Sequence, residues 1–201
     1  MLNFELEKQL YDKGYKAVSG VDEVGRGCLA GPVVAAAVIL NPNDIPDGIN
    51  DSKKLSVKKR ASLYSLIMKS AYSVSIASIC ATEIDQSNIR KASLKAMQKA
   101  ILMLSVSTDY VLIDGRDILP DISQKQQSIV KGDSISLSIA AASIIAKVTR
   151  DNMLLKIAQL YPGYSFEDHV GYGTTKHRSA IVERGAINKI HRYSFAPIRK
   201  R

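Results

Sequence analysis

The sequence predicts an α/β fold, on three observations. Apolar segments of strand length recur along the chain. Amphipathic segments at helical spacing separate them. Acidic residues stand where several of the apolar segments end. The strand-like segments are 17–22, 33–40, 73–80, 110–113 and 128–130, and the helix-like ones are 2–15, 57–70, 89–104 and 134–160. At 201 residues, one domain with room for a small appendage is expected. A chain of this length buries enough apolar surface to need no disulfide or structural metal.

Residues 2–15 read as a short helix packing onto the body. In 17–22, Ala17, Val18 and Val21 lead into the adjacent acids Asp22 and Glu23. Pro32 opens 33–40, which is apolar enough to be buried on both faces. Asn41, Pro42, Asn43, Asp44 and Gly48 are turn residues. Ser56 is a good N-cap for helix 57–70, with Leu63, Ile67 and Ala71 on one side. Lys53 and Lys54 lie in the loop before it. Segment 73–80 alternates as a strand does, and Thr82 is placed to cap a turn. Ile89, Ala92, Ala96, Met97, Ala100 and Leu104 share one face of helix 89–104.

Segment 110–113 is a short apolar strand ending in Asp114-Gly115, where open α/β sheets place their ligands. A further strand, 128–130, ends in Lys131-Gly132-Asp133. The first half of helix 134–160 is nearly all Ala, Ile, Leu and Ser, the composition of a helix held close against a sheet. Asp133 is placed as its N-cap. Tyr161-Pro162-Gly163 stops it, so the chain divides into a body, 1–160, and a C-terminal segment, 161–201. That segment carries all three histidines and the loop Gly171-Tyr172-Gly173-Thr174. Thr174 or Thr175 caps a short helix to Arg184, and the chain closes on Ile198-Arg199-Lys200-Arg201.

Lys+Arg 28 against Asp+Glu 19 gives a net charge of +9, which favours an anionic partner, nucleic acid being the commonest soluble one. Cys28 and Cys80 lie far apart in apolar sequence, without a Cys-x-x-Cys or Cys/His cluster. That excludes a zinc site and reads as small core residues in a reducing compartment. The acidic start, Met1 to Glu7, is not a signal peptide, and the apolar run 28–40 is too short to span a bilayer. The chain reads as cytoplasmic.

Candidate chemistry centres on Gly20-Val21-Asp22-Glu23-Val24-Gly25-Arg26-Gly27. Two neighbouring carboxylates raise each other's pKa, a cost that a divalent metal removes. Gly25 and Gly27 permit positive φ and close approach to a ligand, and Arg26 can contact phosphate oxygens in two-pronged fashion. The pair carries a geometric condition, because neighbours on a strand point to opposite faces. They share a site only if the strand ends or bulges there, or if one supplies a main-chain carbonyl. With Asp114 and Asp133, four acids stand at element ends in a basic chain. They suggest a carboxylate cage for two hard ions, Mg²⁺ or Mn²⁺, roughly 3.5–4 Å apart, which suits phosphodiester hydrolysis. Asp151 is a rival acid, but it lies roughly 27 Å beyond Asp133 along a helix. It is read instead as a partner of Lys147 at i−4.

These motifs closely resemble those of the type 2 ribonucleases H, the bacterial ribonuclease HII family. The matching stretches are 20–27, Leu29-Ala30-Gly31-Pro32-Val33, Asn50-Asp51-Ser52-Lys53-Lys54-Leu55-Ser56, Ile113-Asp114-Gly115, 131–134 with 138–151, Gly171-Tyr172-Gly173-Thr174 with His177, and His191-Arg192 with Ser194-Phe195. They run in the family's order along nearly the whole chain. The resemblance implies a ribonuclease H-like fold: a five-stranded mixed sheet flanked by helices, with a small helical C-terminal extension. It implies that a monomer cleaves RNA in RNA–DNA hybrids and cuts 5′ of single ribonucleotides in duplex DNA. It places Asp22, Glu23, Asp114 and Asp133 at the four catalytic, metal-binding positions. Gly25-Arg26-Gly27 matches the loop that reads the ribose, Lys53 a phosphate-contacting lysine, and Tyr172 the tyrosine that senses the RNA–DNA junction. The related type 3 enzymes carry a lysine in the loop, where this chain has Arg26. A competing reading, a non-catalytic basic nucleic-acid-binding protein, gives no reason for four acids that repel the same phosphates.

Overall fold

A computed structural model describes residues 2–199; Met1, Lys200 and Arg201 lie outside the described residues, and with them the last two residues of the basic C-terminal run. Helix α1 (Glu5–Asp12) leads into β1 (Val18–Val24) and β2 (Val33–Ile39). Then follow α2 (Val57–Ser70), β3 (Ser73–Ile79), α3 (Ala81–Gln86), α4 (Ile89–Leu102), β4 (Tyr110–Asp114) and β5 (Lys125–Ile129). A 3₁₀ turn (Gly132–Ser134), α5 (Leu137–Leu160), α6 (Phe166–His169) and α7 (Thr175–Arg184) complete the order.

The sheet has five strands in the order β3-β2-β1-β4-β5. β1 pairs antiparallel with β2 and parallel with β4, so the sheet is mixed. Val33, Ala35 and Ala37 of β2 pack with Val21, Val111 and Ile113 under Ala92, Ala96, Met97 and Ala100 of α4. On the other face Ala36, Val38 and Leu40 meet Ala140, Ala141, Ile144 and Ile145 of α5, with Leu63 and Ile67 of α2. The alternation explains why β2 is apolar throughout: both faces are covered. α5 lies unusually close to β1, since a Cβ on Gly20 would sit 2.2 Å from the Ser138 carbonyl carbon.

Several predicted boundaries move, each for a local reason. β1 runs past Asp22 because Glu23 and Val24 still pair with Ala35 and Val34. Asp133 does not cap α5. Lys131 takes a left-handed turn at φ 57 that starts the 3₁₀ turn, and Ser136 caps the helix by accepting from Ile139 N at 3.2 Å. Thr82 caps nothing, because it lies inside α3, whose N-cap is Cys80. Cys28 is buried as expected, but Cys80 is exposed. β5 begins at Lys125, earlier than expected, its half-exposed edge sequence Lys-Gln-Gln-Ser-Ile giving no apolar signal. Ser56 and Thr174 do cap α2 and α7.

Candidate active site

β1 and β4 are parallel neighbours, with Val21 opposite Ile113, so Asp22 and Asp114 come next in register, where the pairing of the two strands stops and β4 ends. A cleft of about 330 Å³ opens there, lined by Asp22, Glu23, Gly25, Arg26, Gly27, Ser52, Lys53, Asp114, Ser143, Lys147 and Tyr172, with Val24 between. Eight of the nine residues singled out from the sequence line this one cleft. The ninth, Asp133, is joined to it by Lys53, whose Nζ lies 3.6 Å from Asp133 Oδ2.

Burial pushes the Asp22 carboxyl well above the usual carboxylate range, and the neighbouring Glu23 and Asp114 charges push it further; the Ser143 hydroxyl of α5 acts the other way. Burial also raises Glu23, against the opposing pull of Arg26, whose Nη1 sits 3.0 Å from Glu23 Oε1. Asp114 is raised by burial and by Asp133, while the Gly132 N–H, donating at 2.7 Å, pulls it down. Lys53 loses some charge stabilisation through partial burial, but Asp133, Asp22, Asp51 and Asp114 outweigh that and raise its pKa.

Between Asp22 and Glu23 the strand neither ends nor bulges: the two pair with Ala36 and Ala35 in unbroken register. Asp22 stands on the α5 side with Ser143, Glu23 on the α4 side with Arg26, and both reach the cleft from their own face of the sheet.

The donor set suits a hard divalent cation: carboxylate oxygens, buried together, whose mutual repulsion a dication would relieve. Among the described residues, no three His, Cys, Asp or Glu side chains converge on one point. Each acid is turned to a local partner instead: Asp22 to the Glu23 amide at 2.7 Å, Glu23 to Arg26, Asp114 to the Gly132 amide, Asp133 to Lys53.

The two loop glycines serve different ends. Gly25 has φ +96, and a Cβ there would meet Arg150 Nε at 2.3 Å. Gly27 has no positive φ and open space where a Cβ would stand. The fold requires the first glycine and not the second.

Two buried arginines, which hydropathy does not reveal, tie this loop to the C-terminal segment. Arg150 donates to the carbonyls of Pro32 (2.9 Å), Ala30 (2.9 Å) and Val170 (2.8 Å). Arg192 donates to Gly31 O (2.9 Å) and Arg26 O (3.0 Å). Main-chain bonds complete the tie: Leu29 N to Gly171 O at 2.8 Å and Arg192 N to Leu29 O at 2.9 Å. Tyr172 thereby overhangs the cleft, 40% exposed, with Lys147 Nζ 5.7 Å from its ring centroid. Lys147 also holds Asp151 at 2.9 Å, as the i−4 spacing predicts.

Sequence reasoning did not single out Ser52, Ser143, Lys147, Arg150 or Arg192 for the site. The signal for three of them was helical spacing: Ser143, Lys147 and Arg150 continue the buried stripe of Ile139 and Ala146 along α5.

A family model described as Ribonuclease HII matches residues 19–198. The chain is 57% identical over 198 residues to the Ribonuclease HII of Bartonella bacilliformis, covering 98% of this chain and 89% of that protein. Among solved structures, the ribonuclease H2 of Pyrococcus horikoshii matches with a TM-score of 0.78 at 24% identity, covering 92% of this chain and 96% of that one. A Bst-RNase HIII in complex with Mn²⁺ matches with a TM-score of 0.69 at 20% identity, covering 90% of this chain and 68% of that one. At these identities the solved structures speak for the fold, which is ribonuclease H-like.

Proposed function

Since the chain belongs to the ribonuclease HII family and is an enzyme of the ribonuclease H type, we propose that it hydrolyses the RNA strand of RNA–DNA hybrids and cuts 5′ of single ribonucleotides in duplex DNA, leaving 3′-OH and 5′-phosphate ends. The observation that carries the reading is the cleft, where buried acids with raised pKa values face Arg26, Lys53, Lys147 and an overhanging aromatic ring. Acids alone would repel a nucleic acid, and cations alone would bind one without cutting it.

In this reading Asp22, Glu23, Asp114 and Asp133 hold two divalent ions, Mn²⁺ or Mg²⁺, and the Mn²⁺ bound by a fold neighbour is consistent with it. When bound, the ions neutralise the acids and supply positive charge toward the attacking and leaving oxygens of a phosphodiester. The chain's own residues do the rest. Lys53 and Arg26 neutralise backbone phosphates. Ser143 orients the Asp22 carboxylate. The open space at Gly27 admits the sugar edge that carries the 2′-OH, the one group that marks RNA at a single nucleotide. The face of Tyr172 takes the adjoining deoxyribose, so residues 161–201 form a substrate-contacting segment on the catalytic body. The enzyme acts as a cytoplasmic monomer; no helix of the described residues is long and apolar enough to cross a membrane.

The test is a duplex with one embedded ribonucleotide beside an all-DNA control, cut by wild type, Gly27→Ala and Gly25→Ala. Wild type should cut only the first duplex, and only with a divalent ion. Gly27→Ala should melt like wild type yet cut about a hundredfold more slowly, as expected when a substrate is held slightly out of place. Gly25→Ala should lose stability as well. Full activity of Gly27→Ala would remove the loop from ribose reading, and cutting of the all-DNA duplex would overturn the substrate assignment.

A further inference from the structure

All three histidines of the chain are buried together beneath Tyr172, none more than 6% exposed. Their rings lie close: His169 stacks on His177 at 4.4 Å between centroids, and His177 lies 5.2 Å from His191. Phe166 and Tyr164 box them in. Six ring nitrogens in so small a space would suit a metal, but every one has another partner, and those partners fix each proton.

A main-chain N–H only donates and a carbonyl only accepts, so the assignment follows in order. Ile187 N–H points at His191 Nδ1, 2.8 Å away, which must therefore be bare. Neutral His191 then carries its proton on Nε2, which faces His177 Nε2 at 3.1 Å. That nitrogen must accept, which leaves the His177 proton on Nδ1. Nδ1 lies 2.9 Å from the Tyr172 carbonyl oxygen, an acceptor, so the chain closes without conflict. His169 stands beside it, likewise determined: its Nδ1 accepts from Gly171 N at 3.2 Å, and its Nε2 donates to Tyr164 O at 2.9 Å. The Tyr172 carbonyl also accepts from Thr174 N at 2.9 Å, so its peptide is held from two directions.

We propose that His191 and His177 form a one-way hydrogen-bond relay, Ile187 N–H to His191 to His177 to the Tyr172 carbonyl, that positions Tyr172 over the cleft. Both are positioning residues: neither lines the cleft, and they act through the Tyr172 main chain. His169 buttresses the same loop through Gly171. The function of the relay rests on the substrate-contacting role given to Tyr172 above, whereas its existence does not.

Two measurements separate those claims. Long-range ¹⁵N–¹H correlation spectra of the wild-type protein at neutral pH read the tautomers directly. The expected result is Nε2–H for His191 and His169 and Nδ1–H for His177. An imidazolium, or the opposite tautomer at His177, would overturn the relay whatever Tyr172 does. The second measurement is cleavage of the single-ribonucleotide duplex by His177→Asn and His177→Phe, each alone and combined with Tyr172→Ala. Asn places an amide N–H near the lost Nδ1, whereas Phe keeps only the ring volume. His177→Phe should cost about tenfold in kcat/KM, the worth of one hydrogen bond, and His177→Asn should restore most of it. In the Tyr172→Ala background the two should cut equally, because there is no ring left to place. Equal losses in both backgrounds would overturn a role through Tyr172. Unimpaired cleavage by Tyr172→Ala alone, with the tautomers as expected, would instead remove the substrate role of Tyr172 and leave the relay standing as architecture.

Discussion

At the ends of β1 and β4, buried carboxylates compete for a handful of amides, one arginine and one lysine. Beneath Tyr172, three buried imidazoles have a partner for every ring nitrogen. Burial moves both sets of groups away from their charged forms, raising Asp22, Glu23 and Asp114 and lowering His177 and His191, the last to about 4. At neutral pH the consequence is opposite. The imidazoles are neutral already and nothing is lost. The carboxylates are driven toward ionisation in a place that resists it. A buried cluster with all its partners is scaffold, and one with charge left over is where a ligand belongs.

That contrast can be broken from three directions. The largest effect belongs to Asp22→Asn. Hydrolysis should fall by about a thousandfold or more, since several kcal/mol of charge stabilisation depend on a ligand of this kind. In EDTA the same variant should melt higher than wild type at pH 7.5, because one of the repelling charges is gone. A lower melting temperature would show that the carboxylates carry no such strain.

Arg150→Met comes next, because Arg150 belongs to both regions: it holds Pro32 and Ala30 beside the acid loop and Val170 beside the histidines. Removing its guanidinium leaves three buried carbonyls without their donor. We expect a loss of about 3 kcal/mol in urea titrations. A loss below about 1 kcal/mol, within the range of ordinary single substitutions, would mean that the two regions are joined by the main chain alone.

The smallest effect is a pH slope. His191 is held near 4 in the fold against an ordinary histidine value of 6.5, so between those pH values the unfolded chain binds more protons. Its contribution is therefore complete above 6.5 and lost as the pH falls toward 4. Asp22 has a raised folded pKa, so the fold binds the extra proton, and its contribution declines as the pH rises above the ordinary carboxylate range. In EDTA the two oppose each other. Asp22→Asn should steepen the loss of stability on the acid side, and His191→Phe should flatten it. Parallel curves for all three proteins would mean that neither cluster is linked to folding.

Much of this was legible in the residues, for identifiable reasons. Asp22 and Asp114 stand out because apolar runs stop at them, and Ser56 and Thr174 because caps have a local signature. Asp133 was legible only as one of four acids at element ends, and the resemblance strengthened that reading, since its position before an apolar helix reads equally as a cap. It took coordinates to show Ser136 capping and Asp133 facing Lys53. The tilt of Glu23 toward Arg26 depends on β2 continuing the ladder, a long-range pairing with no local mark. Arg150 and Arg192 were opaque because their partners are carbonyls from distant segments, and a carbonyl has no side-chain identity to read. The same applies to the histidines, whose protons are fixed by the amides and carbonyls of Ile187, Tyr172, Gly171 and Tyr164.

Gly20 sets a dimension. With the helix backbone of Ser138 where a methyl group would stand, strand and helix touch main chain to main chain. Asp22 is two residues along one of these rails and Ser143 five along the other. The gap between them is therefore gauged by backbone thickness, with no side chain as a shim, and rotamer motion elsewhere in the core does not alter it. Replacing Gly20 with alanine would recalibrate the instrument: the rails would part, and Asp22 would keep its neighbours but lose its measured distance from them.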